Sequence, residues 1–247
     1  MEEARRFFEE ALAIQREFGT RRGEGIVLSN LGLLHGAQGR LDESRRYLEE
    51  ALAIMREAGD RRLEGLVLGA LGPLHQEEGR MEEARRHYDA ALAIDREVGD
   101  RGAEGNVVGA LGTFHQAQGR MDEARRHYEE SLAIYREVGE RRGEGQVLGN
   151  LARLSLELGN TDDARRHADE GISLLSGLGG FLEIARLLCV RGHCECREGN
   201  TTSARAALAE AESIAVSLAV TSMSELAREI ATLRGALESL EAPSRDS

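Results

Sequence analysis

Hydrophobic positions in this chain recur at helical spacing, and the whole pattern then recurs as a block. Ala11-Leu12-Ala13-Ile14 returns as Ala51-Leu52-Ala53-Ile54, as Ala91-Leu92-Ala93-Ile94 and, with one change, as Ser131-Leu132-Ala133-Ile134, a step of 40 residues. Gly19, Gly59, Gly99, Gly139 and Gly179 keep that step, as do Gly39, Gly79, Gly119, Gly159 and Gly199. Each block splits into two amphipathic segments. After Gly59, Asp60 is placed to cap a helix whose apolar positions are Leu63, Leu66, Leu68, Leu71 and Leu74, ending near Gly79. A second segment begins near Met81 and carries Ala84, Tyr88, Ala91, Leu92 and Ile94 until Gly99 stops it. Spacings of three and four put these residues on one helix face, and the short connections fold each pair of helices into an antiparallel hairpin. One such hairpin cannot bury its apolar face alone, so a fixed period of this length predicts hairpins stacked into an all-α solenoid.

Small residues mark where the helices approach. Gly32, Gly72, Gly112, Ala152 and Gly192 fall mid-helix, where glycine costs roughly 1 kcal/mol relative to alanine. Ala4, Ser44, Ala84, Ala124, Ala164 and Ala204 fall on the partner helices, and a recurring contact between the two sets offsets that cost. With Leu31-Gly32, Leu71-Gly72 and Leu111-Gly112, the Gly39-type turn, the large residue at Phe8, Leu48, Tyr88 and Tyr128, and Ala11, Ala51 and Ala91, the chain resembles the tetratricopeptide repeat (TPR) family in its long form, as in kinesin light chains and many bacterial regulators. The resemblance covers residues 1 to about 218. It departs from the family where Leu28, Leu68, Val108 and Leu148 replace an aromatic residue and where His35, His75 and His115 replace a tyrosine. The closing proline of shorter repeats is missing, and Arg191 stands where leucine is expected.

The implied fold is a right-handed α-solenoid of stacked antiparallel helix hairpins. Residues 1–20 read as an unpaired second helix, because Met1-Glu2-Glu3-Ala4-Arg5-Arg6 aligns with Met81-Glu82-Glu83-Ala84-Arg85-Arg86. That helix is expected to leave Phe8 and Leu12 without a hairpin partner, with further repeats or an effector domain upstream. Residues 21–218 read as five hairpins, the last degenerate. Residues 219–241 read as a capping helix with the stripe Met223, Leu226, Ile230, Leu233, Leu237 and Leu240, and 242–247 as a disordered tail.

Bulk composition narrows the partners. The net charge of −12 argues against nucleic acid or an anionic membrane surface. All basic residues are arginine, a bias expected of a GC-rich genome. Cys189, Cys194 and Cys196 are odd in number and clustered, which suits a reducing compartment. The N-terminus lacks an apolar signal core and no stretch of about 18 apolar residues occurs, so the expectation is a soluble, cytoplasmic protein.

The TPR resemblance places the first helix of each hairpin along a concave groove. The groove-facing residues it implies are Ile26, Ser29, Asn30 and Leu33; Leu66, Gly69, Ala70 and Pro73; Asn106, Gly109, Ala110 and Thr113; Gln146, Gly149, Asn150 and Arg153; and Arg186, Cys189 and His193. Asn30 and Asn150 lead the candidates, since an amide both donates and accepts against an extended peptide backbone. Asn106, Gln146, Arg153, Arg186 and His193 complete the expected ligand-binding set. Gly69, Gly109 and Gly149 suggest a smooth, close-approach surface. Arg153, Arg186 and Arg197 suggest a place for an acidic or C-terminal carboxylate group. The family's lysine-containing carboxylate clamp is excluded in a chain without lysine.

Other chemistry is not signalled. Six of the seven histidines follow the period, and equivalent residues in neighbouring repeats stand about 10 Å apart, too far to share a metal ion. Cys189 and Cys196 are separated by a helical rise of about 10 Å, which no single tetrahedral site spans. Walker, zinc-protease and nucleophile-elbow motifs are missing. The sequence therefore predicts a binding scaffold for a protein or extended peptide, without catalysis, metal or cofactor, present as a monomer or weak dimer. Two alternatives remain: a sensory or regulatory arm of a larger signalling or transcriptional protein, and a structural oligomer formed through the C-terminal helix.

Overall fold

A computed structural model of the protein describes residues 2–220 and 224–241, and among these residues it contains twelve helices and no strand. Met1, residues 221–223 (including Met223 of the C-terminal stripe) and the expected tail at 242–247 lie outside the described residues. The chain divides into two units, Met1–Gln118 and Gly119–Ser247. The first holds α1 (Glu2–Glu17), α2 (Arg21–Gly36), α3 (Leu41–Ala58), α4 (Arg61–Glu77), α5 (Met81–Val98) and α6 (Arg101–Ala117). The second holds α7 (Met121–Val138), α8 (Arg141–Glu157), α9 (Thr161–Ser176), α10 (Phe181–Arg197), α11 (Thr201–Ser217) and α12 (Glu225–Glu241).

Helix ends follow from the periodic glycines. Gly59 adopts φ 67°, a left-handed conformation that L side chains resist, and the Asp60 amide then reaches back to the Met55 carbonyl at 3.0 Å. Asp60 immediately caps the next helix by accepting from the Leu63 amide at 3.1 Å, and Asp100 repeats the arrangement with Ala103. One residue thus closes one helix and opens the next, which fixes the sharp reversal between them.

In the hairpins α2–α3 and α4–α5 the glycine meets the large residue of its partner more closely than the small one. A Cβ added at Gly72 would stand 2.3 Å from the Tyr88 ring, and one at Gly32 would stand 2.6 Å from Leu48. The small residue at the neighbouring position has another task where it is serine: Ser44 Oγ donates to the Gly32 carbonyl at 2.7 Å. Tyr88 is buried and sets its ring edge-on to Phe114 at 5.8 Å. In the second unit the equivalent positions are Ala152 and Ala168, both fully buried, so a lost glycine coincides with a lost large side chain.

Charge also holds successive hairpins together, which the apolar pattern did not announce. Glu24, Glu64 and Glu104 are buried at the starts of α2, α4 and α6. Each is gripped by two arginines. Glu24 accepts from Arg16 and Arg21, both at 2.8 Å, and Glu64 from Arg56 at 2.9 Å and Arg61 at 2.5 Å. Glu104 accepts from Arg96 at 2.7 Å and from Arg101. Hydrogen bonds from Arg16 hold the Glu24 carboxyl below its ordinary range against the opposing effect of burial, as expected for a satisfied buried charge. In the second unit Glu144 keeps its bond to Arg136 at 2.9 Å. One repeat later Ser176 and the buried Ile184 replace the pair, so there the junction is apolar.

Candidate functional site

The first helix of each hairpin keeps a face that the core leaves uncovered. In the first unit this face is apolar. Leu33 on α2 is 48% exposed and Leu66 on α4 is 51% exposed, with Pro73 also exposed and Ile26 and Ala70 half-buried. A shallow depression runs between Leu33, Ala37, Ala70, Pro73 and Glu77. Leu66 therefore belongs to this surface and not to the core stripe of α4. Asn30 is half-buried on α2, and Asn106 and Thr113 are exposed on α6. Ser29 does not face out: it is buried and donates to the Gly25 carbonyl at 2.8 Å.

In the second unit the corresponding face is polar. A small cleft of about 100 Å³ opens between α8 and α10, lined by Gln146, Asn150 and Arg153 on one side and Glu183, Arg186 and Val190 on the other. Four of the residues singled out from the sequence thus come together. Asn150 Oδ1 accepts from Arg153 at 2.6 Å, so one of its polar atoms is engaged within the cleft lining. Gly149 sits beside α10, where an added Cβ would be in ordinary contact with Leu187 at 3.8 Å, and Gly69 is placed likewise against Val107 at 3.6 Å. These glycines leave the face low without being required by it.

The arginines of the cleft are already paired. Arg186 donates to Glu229 of α12 at 3.2 Å through both Nε and a terminal nitrogen, and it reaches Glu225 at 2.5 Å. Arg153 stands 3.9 Å from the same Glu229. Burial acts to lower the Arg186 pKa, but Glu229 and Glu225 outweigh it and hold the guanidinium more firmly charged than usual. With Glu183 included, carboxylates outnumber guanidinium groups around this cleft.

His193 lies in an adjoining depression with Arg153, Leu156, Arg197, Ala236 and Leu240. Burial, then the neighbouring Arg197 charge, holds its imidazole below the ordinary value. Cys189 is buried and does not line the groove; burial pushes its thiol up to about 12. Glu225 and Glu229 escaped the sequence reading because they lie outside the repeat, about one period from Arg186, on a helix valued only for its leucine stripe. The non-repeating Arg186 was the available signal: a half-buried arginine calls for an acid. The histidine ladder is packing. His35 lies 5.3 Å from the Tyr47 ring, and His75 stacks on His87 at 4.9 Å. Among the described residues no group of three or more His, Cys, Asp or Glu side chains is placed to hold a metal ion, and no helix is long and apolar enough to cross a membrane.

Comparison with known families agrees with this architecture. A tetratricopeptide repeat model matches residues 1–57 and 105–176, more than half of the chain, and a second tetratricopeptide repeat model matches residues 67–102. The chain belongs to the tetratricopeptide repeat family. No curated protein sequence matches it. Among solved structures it is similar to BtubC (BKLC) from P. vanneervenii, with 18% identity, TM-score 0.74, and coverage of 89% of this chain and 92% of that one. It is also similar to a signal-transduction ATPase with numerous domains carrying a tetratricopeptide repeat sensor, from Pyrococcus horikoshii. There the identity is 15% and the TM-score 0.73, over 94% of this chain and 33% of that one. A Rap protein complexed with competence and sporulation factor matches with 15% identity and TM-score 0.65, over 89% of this chain and 66% of that one. At these identities the likeness shows the TPR fold, an all-α solenoid.

Proposed function

We propose that the protein is a non-catalytic scaffold that binds a protein or an extended peptide on the exposed faces of its first-helix series. The observation that carries this reading is the contrast between faces. The second helices present charged residues to solvent, whereas α2 and α4 present Leu33, Leu66 and Pro73, and α8 and α10 present a lined cleft. Exposed leucines beside a proline on a rigid helical support favour an apolar ligand segment in the first unit. Asn150 and Gln146, with the Arg186–Glu229 pair beside them, favour backbone amides over a free carboxylate in the second. The Rap protein structure, a complex with competence and sporulation factor, is consistent with a binding role for this fold.

The sensor repeats of the Pyrococcus ATPase, of which this chain matches a third, leave a regulatory arm as the second reading. The oligomer reading is weakened by α12 itself: Leu226, Ile230, Leu233 and Leu237 are buried in the core with α10 and α11, leaving Leu240 as the exposed leucine of that stripe. The deciding experiment probes an array of random 15-residue peptides with the chain, with Leu33→Asp/Leu66→Asp, and with Gln146→Ala/Asn150→Ala. Retained peptides that lose binding to one of the two variants support the groove. Absence of retention, or retention unaffected by both variants, refutes it.

A further inference from the structure

The depression that holds His193 is much larger than the α8–α10 cleft beside it. It encloses about 570 Å³ against about 100 Å³, within the roughly 300–1,000 Å³ of small-molecule sites. Three helices of the second unit wall it: α8 through Arg153 and Leu156, α10 through His193 and Arg197, and α12 through Ala236 and Leu240. Helix α12 runs in the same direction as α10, because its early residue Glu229 meets Arg186 and its late residue Leu240 shares this lining with Arg197. Arg153 lines both depressions and comes within 3.9 Å of Glu229, so it stands as the divide between them.

The lining of this trough is two-sided. Leu156, Cys196, Ala236 and Leu240 supply apolar surface, and Leu240 is 45% exposed there. Arg153 and Arg197 face a single lining carboxylate, Glu157, so the lining carries one positive charge in excess, the reverse of the acidic cleft above it. Arg153 is engaged by Asn150 and approaches Glu229. Arg197 has no ion-pair partner among the described residues. Its basic charge is particular to this place, since the equivalent residues are Ala37, Glu77, Ala117 and Glu157. His193 stands close to Arg197 and is held below its ordinary value, so at neutral pH it offers a ring N–H without a second charge. An inorganic anion would leave the apolar wall bare, and a neutral chain would forgo the excess charge.

We propose that this trough binds a small amphiphilic monoanion, a medium-length aliphatic chain ending in a carboxylate. The carboxylate sits on the Arg197 guanidinium and the His193 ring, and the chain lies along Leu156, Ala236 and Leu240. The site is distinct from the peptide-binding faces and does not depend on them.

The probe is sodium octanoate, titrated into the full chain below its micelle-forming concentration. Calorimetry reads the binding, and the ring resonances of His193 report its place. One octanoate per chain is expected, with about a twofold loss for each methylene removed towards hexanoate, as for a half-buried chain. Octanol, which lacks the charge, is expected to bind about tenfold more weakly. Arg197→Gln is expected to weaken octanoate about tenfold and Leu240→Asp to abolish its binding, with helical circular dichroism unchanged because both positions are exposed. Arg86→Gln removes the same charge from an exposed position of α5 and is expected to leave binding unchanged. The proposal is overturned by absence of binding, by octanol or acetate binding as tightly as octanoate, or by Arg86→Gln and Arg197→Gln acting alike. A short peptide ending in leucine that binds more tightly than octanoate through Arg197 and Leu240 also overturns it, and assigns the trough to a peptide terminus.

Discussion

Asp95 is the buried group whose removal most sharply tests the packing described above. It stands on α5 where the equivalent residues are Met55, Tyr135 and Leu175. Only 2% of its surface is exposed, and neither carboxylate oxygen has a hydrogen-bond partner. Burial, then the nearby Asp100 and Glu104 charges, pushes its carboxyl up to about 6 from the ordinary 3.8. The folded protein therefore holds this proton more tightly than the unfolded chain. The associated stability is fully present below pH 3.8 and is lost as pH rises through about 6. At about 1.4 kcal/mol per pH unit, the interval corresponds to about 3 kcal/mol lost at neutral pH. Asp95→Asn keeps the shape and removes the charge. Its stability relative to the parent is thus expected to climb by about 3 kcal/mol between pH 4 and pH 7 and then level off. Urea unfolding followed by helical circular dichroism measures this, since the chain has no tryptophan to report by fluorescence. A difference that stays constant across that range, or a carboxyl carbon that titrates near 4 by NMR, refutes the account of Asp95 as a desolvated, unpaired carboxylate.

Gly72→Ala drives a methyl group to 2.3 Å from the Tyr88 ring and is expected to cost about 1–3 kcal/mol of stability. In a Tyr88→Ala background the same change is expected to cost nothing, as in the natural Ala152–Ala168 pair, and a double-mutant cycle reads the difference. Burial holds the His87, His167 and His193 imidazoles below their ordinary 6.5, so the unfolded chain gains protons first on acidification. The histidines' contribution to stability is expected to fall as pH drops below about 6.5, against the rise from Asp95, so His193→Gln should gain stability relative to the parent as pH falls from 7 to 5, read in thermal melts. The three cysteines are buried, and burial pushes the Cys194 thiol up to about 11. Disulfide-exchange labelling is expected to proceed only on unfolding, so prompt reaction of the native protein contradicts this burial.

The period made the helices legible, because the glycine stop and the aspartate cap act within a few residues of sequence. Pairings that act across a repeat were harder to see. Glu24, Glu64 and Glu104 look like solvent-facing acids at the start of a helix, where a carboxylate favours the helix dipole in any case. Only folding reveals the arginines from two directions that bury them. The cleft was legible in its first half, since Gln146 and Arg186 are equivalents one repeat apart, as are Arg153 and His193. Its acidic half was not, because α12 follows the last repeat with a shifted register and Glu229 has no repeat equivalent to betray it.

Variation within the chain separates the surface the scaffold needs from the surface it leaves free. On the first helices the positions that bear the stack scarcely change: Leu28, Leu68, Val108 and Leu148 are buried, as are Leu31, Leu71, Leu111 and Leu151. The neighbouring outward positions change type entirely, from Ile26 to Leu66, Asn106, Gln146 and Arg186, and from Leu33 to Pro73, Thr113, Arg153 and His193. Exposure alone does not explain that drift. On the second helices Arg45-Arg46, Arg85-Arg86, Arg125-Arg126 and Arg165-Arg166 also meet solvent to some degree, and they remain identical through four repeats. Against that constant pair, the outward side chains of the first helices run from apolar at α2 and α4 to amide and charged at α8 and α10, the variation expected of a surface whose repeats meet different ligand chemistry.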